Sequence, residues 1–373
     1  MRFSELPTPC YVINETQLEQ NLAILQGVAR RTGCKILLAQ KAFCCPAVYP
    51  LIRQYLAGTT ASGLYEARLG REEMGGEVHI FSPGYQAKDM AEIIRLADHI
   101  VFNSNRQLAE FGPIAKAAGK SVGLRVNPEY STQNHAIYDP CAPGSRLGVR
   151  IADFNESLLH LLDGLHMHTL CEQNSDALIA TVAALEEKFG KYLPQMRWLN
   201  LGGGHHITRA DYDIPALEQC ITRLSRQYKL QVYLEPGEAV ALNAGYLQAT
   251  VLDIVPADML VAILDASAAC HMPDVLEMPY TPPLLNAAPS GKLPHTYRLA
   301  GATCLAGDVI GEYSFASPLA PGDRLIFSDM AIYTMVKNNT FNGMPLPDIY
   351  LQNKNGDCRL YKRFGYADFK SRI

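Results

Sequence analysis

Apolar, β-branched runs of four to six residues recur from about residue 35 to about residue 235, and stretches of helical periodicity separate them. The runs predict strands over Lys35–Ala39, Gly58–Ala61, Glu77–Phe81, His99–Phe102, Ser121–Val126, Gly164–Thr169, Arg197–Leu201 and Gln231–Leu234. Between them, apolar residues three and four apart predict helices over Pro46–Leu56, Leu64–Met74, Ala87–Leu96, Asn105–Ala118, Asp176–Phe189 and Ile214–Gln227. This rhythm is that of a (β/α)8 TIM barrel spanning residues 15–235, with a doubly wound open sheet as the structural alternative. After about residue 236 the pattern turns to short β-rich runs broken by Gly and Pro: Tyr246–Val255, Met259–Asp265, Thr296–Ala300, Arg324–Phe327 and Cys358–Tyr361. These predict a C-terminal β-sheet or β-barrel domain over 236–373, joined by residues 1–14 through the strand-like Thr8–Asn14.

Catalytic groups of such barrels stand at the C-terminal ends of the strands. Lys41 follows the first strand, His168 the sixth, Gly202–Gly204 the seventh and Glu235 the eighth. Singly, each has an ordinary reading: a solvated lysine, a core histidine, a tight turn, an exposed carboxylate. Jointly they supply what pyridoxal 5'-phosphate (PLP) chemistry asks of a protein. A Schiff-base lysine is needed, together with amides that can cradle a phosphate, an acid that keeps the pyridine nitrogen protonated, and a ring to lie against the cofactor. A two-histidine metal site is a weaker alternative that His205 and His206 keep open; no further spacing completes it, and no metal is expected.

Composition narrows the partners. The net charge of −4 with interspersed signs favours neither nucleic acid nor an anionic membrane, and suits a small cationic substrate. Neither a signal peptide nor a run of about 18 apolar residues is visible, so a soluble, cytoplasmic protein is expected. The ten cysteines form no C-x-x-C pair and read mostly as small buried hydrophobes.

Ala39-Gln-Lys41-Ala, His-Met-His168, Leu-Gly-Gly-Gly204 and Glu235-Pro-Gly, followed by Gly301–Asp308, Met330–Thr334 and Thr340–Gly343, resemble the fold-type III PLP decarboxylases of ornithine and diaminopimelate. The resemblance covers nearly the whole chain. It implies an alanine racemase-like barrel and a homodimer with shared active sites. By the same resemblance Lys41, His168, Gly203, Gly204, Glu235 and Tyr333 hold the cofactor, with Lys41, His168 and Cys304 catalytic and Cys304 the proton donor to Cα. Two departures stand out. Glu238 replaces the cationic fourth residue of Glu-Pro-Gly-Arg, and Thr169-Leu-Cys-Glu172 replaces the glycine and serine that usually follow the stacking histidine. Glu238 and the segment Asp265–Tyr280 are similar to the carboxynorspermidine (carboxyspermidine) decarboxylase branch of the family. That implies a polyamine-type amino acid substrate in polyamine biosynthesis, with Glu238, Asp274 and Asp308 as substrate-binding residues. Decarboxylation of diaminopimelate or another basic amino acid, and a non-catalytic PLP- or partner-binding role, are the alternatives.

Overall fold

The computed structural model of the chain describes residues 1–133 and 135–373. It divides into two compact units, Gln20–Val240 and Met1–Glu19 with Ala241–Ile373. β1 (Cys10–Asn14) belongs to the second unit. In the first, eight parallel strands close into a barrel: β2 (Lys35–Ala39), β3 (Gly58–Ala61), β4 (Glu77–Phe81), β5 (His99–Phe102), β6 (Ser121–Arg125), β7 (Gly164–His166), β8 (Trp198–Asn200) and β9 (Gln231–Leu234). Closure is made by β2 on β9, with Lys35 opposite Tyr233 and Ile36 opposite Leu234.

The barrel interior is filled by side chains, as a small barrel requires. Leu37, Val101, Trp198 and Tyr233 pack together, and the indole N–H of Trp198 donates to Ser121 Oγ at 2.8 Å. Near the strand starts Glu77 accepts bonds from Lys35, from Tyr233 Oη (3.0 Å) and from His79 Nε2 (3.2 Å), while the His79 and His99 rings stack at 3.9 Å. Glu77 thus satisfies three donors at once, while Nδ1 of His79 and of His99 is buried without a hydrogen-bond partner.

Three strands are shorter than their sequence pattern. β6 stops at Arg125, β7 at His166 and β8 at Asn200, because the chain beyond each turns into a loop over the barrel mouth. His168, inside the expected strand Gly164–Thr169, therefore lies past the end of the strand. The helix expected over Pro46–Leu56 is reduced to a 3₁₀ turn, Pro46–Val48, and one turn of α-helix, Tyr49–Ile52. Pro50 lacks an N–H and its ring crowds the preceding turn, so it is tolerated only in the first turn of the α-helix, which cannot run back continuously to Pro46.

In the second unit β10 (Gly245–Pro256) is the organising strand. It pairs antiparallel with β1, with β11 (Leu260–Leu264) and with β15 (Arg324–Ser328). β12 (Ala288–Pro289), β13 (His295–Ala300) and β14 (Val309–Phe315) extend one side; β16 (Asp348–Gln352) and β17 (Cys358–Lys362) extend the other, β16 running parallel to β1. β14 and β16 were not legible as strands in the sequence.

Candidate active site

The turn after β2 carries Lys41 and is fixed from two sides. Buried Gln40 donates from Nε2 to Glu66 O at 2.8 Å and accepts from Tyr49 Oη at 2.9 Å; Ala39 N donates to Pro236 O at 3.1 Å. A Cβ on Gly237 would stand 2.5 Å from Ala42 Cβ, so the Glu-Pro-Gly segment after β9 can lie against the lysine turn only because its third residue is glycine. The Lys41 side chain reaches into the open mouth, but its amine is crowded by protein. Burial, and then the Arg125 guanidinium, lower its pKa from the ordinary amine value; Glu235 and Glu66 act in the opposite direction. An amine with a lowered pKa is neutral more of the time and is the nucleophile Schiff-base chemistry needs.

Glu235 is anchored by its backbone N–H to Gly202 O (2.8 Å) and by its carboxylate to Asn200 Nδ2 (2.7 Å) and His166 Nε2 (3.3 Å). Burial alone would raise its pKa, but the nearby imidazoles and these two donors outweigh it and bring it down to about 2. A carboxylate that stays ionised in a buried site can hold a proton on a facing basic nitrogen.

His168 is placed by two contacts. Gly203 N donates to its Nδ1 at 3.0 Å, and Arg125 Nη2 donates to its carbonyl at 3.0 Å. Burial, then the charges of Lys41 and Arg125, push its pKa well below 6.5. The ring is neutral, with its proton on Nε2. Gly203 thus spends its amide on the imidazole; of the glycine turn's role as phosphate cradle, this N–H orients His168 instead. Gly204 adopts φ +81°, and a Cβ there would lie 2.0 Å from Leu170 O, so this turn admits no side chain. Glu238 opens the short helix Glu238–Ala241, with Oε2 3.2 Å from His206 Nε2.

On the sheet unit Cys304 is exposed, on the loop between β13 and β14. Its N–H donates to Asn342 Oδ1 at 2.7 Å, which ties two motif segments together. Asp308 closes this loop. Its buried carboxylate accepts from Thr303 Oγ1 (2.6 Å), Ser267 Oγ (2.8 Å) and Ala269 N (3.1 Å), so its oxygens are committed to holding the Cys304 loop on the Asp265–Ala269 segment. Asp274 pairs with Lys337, which also pairs with Glu277. Tyr333 caps the helix Thr334–Lys337 at φ +59°.

Sequence reasoning missed the residues that set the groups above. Asn200 and His166 hold Glu235, Gln40 holds the lysine turn, and Gly203 holds the ring. One signal was available: Asn200 and His166 are polar residues inside otherwise apolar strands, where an unpartnered polar group would be costly.

A lysine of lowered pKa, a persistent carboxylate and an oriented neutral imidazole around one barrel mouth, beside a glycine turn with no room for side chains, fit pyridoxal phosphate: amine for its aldehyde, carboxylate for its ring nitrogen, turn for its phosphate. The site and fold are those of a PLP-dependent enzyme of the barrel class. Residues 10–331 match the family model described as pyridoxal-dependent decarboxylase, C-terminal sheet domain, and the chain belongs to that family of carboxy-lyases. It is 42% identical over its whole length to the carboxynorspermidine/carboxyspermidine decarboxylase of Campylobacter jejuni, all of which is covered. It is 43% identical, also over the whole chain, to the carboxyaminopropylagmatine decarboxylase of Synechocystis, of which 97% is covered. The crystal structure of the C. jejuni carboxynorspermidine decarboxylase complexed with norspermidine superposes with a TM-score of 0.92 at 41% identity, covering 99% of this chain and 100% of that one.

Proposed function

We propose that the chain decarboxylates carboxynorspermidine and carboxyspermidine to norspermidine and spermidine, in the cytoplasm, as a homodimer with shared sites. The full-length similarity to the C. jejuni enzyme, whose solved structure holds norspermidine, carries this reading. Glu238 in place of a cation supports it, since a carboxylate favours an ammonium-bearing side chain and disfavours the distal carboxylate of diaminopimelate.

Bound PLP supplies the electron sink that lets the Cα–carboxylate bond break. The chain's own groups do the rest. Lys41, its pKa lowered, would offer its amine to the cofactor's aldehyde, Glu235 would hold a proton on the ring nitrogen, and the neutral His168 ring would stand beside the cofactor without competing for that proton. Gly204 and Tyr333 receive the phosphate. Cys304 delivers a proton from Sγ to Cα after carbon dioxide has left. Asp308 acts through Cys304 by fixing its loop, while Asp274, expected to bind substrate, is paired with Lys337.

The similarity to the Synechocystis enzyme supports a second reading, in which the substrate is carboxyaminopropylagmatine. Purified enzyme is offered carboxynorspermidine, carboxyspermidine, carboxyaminopropylagmatine, diaminopimelate and ornithine, with products identified by mass. Release of norspermidine and spermidine is expected; activity confined to the guanidino substrate establishes the second reading, and activity confined to diaminopimelate or ornithine refutes both. Shared sites are tested by mixing inactive Lys41→Ala with Cys304→Ala. Random re-pairing into two-fold dimers restores about a quarter of native activity, and no restoration refutes sharing.

A further inference from the structure

The Cys304 thiol stands on a loop in which residue 302 and residues 304–307 are all exposed. Packing does not fix a side chain placed there; the main chain that carries it must. Asp308 holds the residues on either side. Thr303 Oγ1 donates to its carboxylate at 2.6 Å, Leu305 N donates to Thr303 Oγ1 at 3.4 Å, and Asp308 N donates to Leu305 O at 2.9 Å. The peptide of Cys304 itself is held from another segment, its N–H donating to Asn342 Oδ1 at 2.7 Å.

Asn342 takes φ 56° and ψ 16°, the left-handed region that asparagine enters more readily than most residues with a Cβ. Its turn is anchored by Asn339: Nδ2 donates to Ala269 O at 2.8 Å, the main-chain N to Cys270 O at 2.9 Å, and Oδ1 accepts from Phe341 N at 2.9 Å. Gly343 N closes the turn on Thr340 O at 3.1 Å, and Arg372 Nη1 donates to Thr340 Oγ1 at 3.2 Å. The Asp308 carboxylate is seated on Ser267 Oγ and Ala269 N. Both supports of Cys304 thus start from the same short helix, Ala268–His271, and its N-cap Ser267. One runs through Asp308 and Thr303, the other through Asn339 and Asn342.

A hydrogen bond between two surface loops ordinarily adds a little stability and nothing more. Here it completes the hold on three consecutive residues, Thr303, Cys304 and Leu305, while leaving the thiol in the open. A group that must meet a substrate carbon at one point needs that combination, fixed in place by its support and still reachable.

We propose that Asn342 is a positioning residue of the decarboxylation: by holding the Cys304 peptide it aims the thiol, so that the proton arrives at Cα and nowhere else. The inference rests on the reading of Cys304 as proton donor and gives the turn at residues 340–343 its part in the reaction.

Two substitutions separate the bond from the backbone. Asn342→Gly accepts the left-handed φ but offers no acceptor; Asn342→Asp keeps an acceptor and tolerates that φ. In cofactor-free protein, hydrogen exchange at the Cys304 amide, read by mass on overlapping peptides, should speed up by about tenfold or more in Asn342→Gly and stay near wild type in Asn342→Asp. In holoenzyme, given the substrate that the wild type decarboxylates, kcat should fall about 3- to 10-fold in Asn342→Gly, the range of one neutral hydrogen bond, with KM nearly unchanged. The products carry the decisive reading. After carbon dioxide has left, a proton that misses Cα and reaches the cofactor's former aldehyde carbon leaves the C=N double bond at Cα. Water splits that bond into an aldehyde and pyridoxamine phosphate, in place of the amine and PLP. Asn342→Gly should raise the aldehyde fraction several-fold, Asn342→Asp should bring it back toward wild type, and Cys304→Ala sets the ceiling. Faster exchange with wild-type products in Asn342→Gly leaves the bond a stabilising contact and overturns the inference, as does unchanged exchange. If Cys304→Ala keeps its turnover and forms no extra aldehyde, the reading of Cys304 as proton donor fails, and the role of Asn342 falls with it.

Discussion

Lowering the pH from 7 to 5 should weaken the cofactor-free barrel, and its histidines set how steeply. Burial is the leading cause that depresses the pKa of His99 to about 3 and of His205 to about 4, and that lowers His166 and His168 as well. An imidazole that titrates lower in the folded chain than in the unfolded one leaves the unfolded chain with more protons below about pH 6.5, so stability falls with pH and levels off near the folded values. At pH 5 His99 and His205 each cost about 2 kcal/mol, about 4 kcal/mol together. His166 and His168 act in the same direction. That loss is comparable with the roughly 5–15 kcal/mol that holds a domain together. The chain has one tryptophan, Trp198, buried inside the barrel, so its fluorescence reports this unit in urea titrations at pH 7, 6 and 5. The urea midpoint should fall steadily, and His205→Gln should flatten the trend by up to about half. A midpoint that does not move between pH 7 and pH 5 would show that these imidazoles are not held neutral by the fold.

Gly204→Ala meets both a left-handed backbone and a carbonyl oxygen 2.0 Å from the new Cβ, so the turn must shift. The conformation alone costs about 1–2 kcal/mol, and PLP affinity should fall at least tenfold by equilibrium dialysis; wild-type affinity would contradict the role of this turn. Asp308→Ala leaves Thr303, Ser267 and Ala269 without their shared acceptor. Turnover should fall with PLP content intact, because the Cys304 loop is no longer fixed, and the sheet unit should lose about 1–3 kcal/mol in urea titrations followed by circular dichroism. Unaltered kcat in a folded variant would separate Asp308 from Cys304.

How far the site could be read in advance depended on the range of the signal. Lys41, His168, Gly204 and Glu235 stood out because each follows an apolar run, and strand ends are where barrels carry chemistry. The helix over Pro46–Leu56 failed where Pro50 overrode periodicity. The end of β7 was misplaced by three residues because His-Met-His-Thr continues an alternating pattern after the backbone has left the sheet. β14 escaped because Gly311 and Glu312 interrupt its apolar run, although pairing with β13 carries it through.

What the amino-acid order determined by itself is local: the strand and helix periods, the proline breaks, and the residue types at each strand end. That was enough for the barrel, the lysine and the family motifs. Tertiary structure decided which of those residues meet. Gly203 turned out to hold His168, Asp308 to hold the Cys304 loop, and Glu172, His206 and Glu238, dispersed along the sequence, to share one point past adjacent strands. Periodicity says on which face or end a side chain lies. Only barrel closure and the register of parallel strands bring three loops close enough for their side chains to meet.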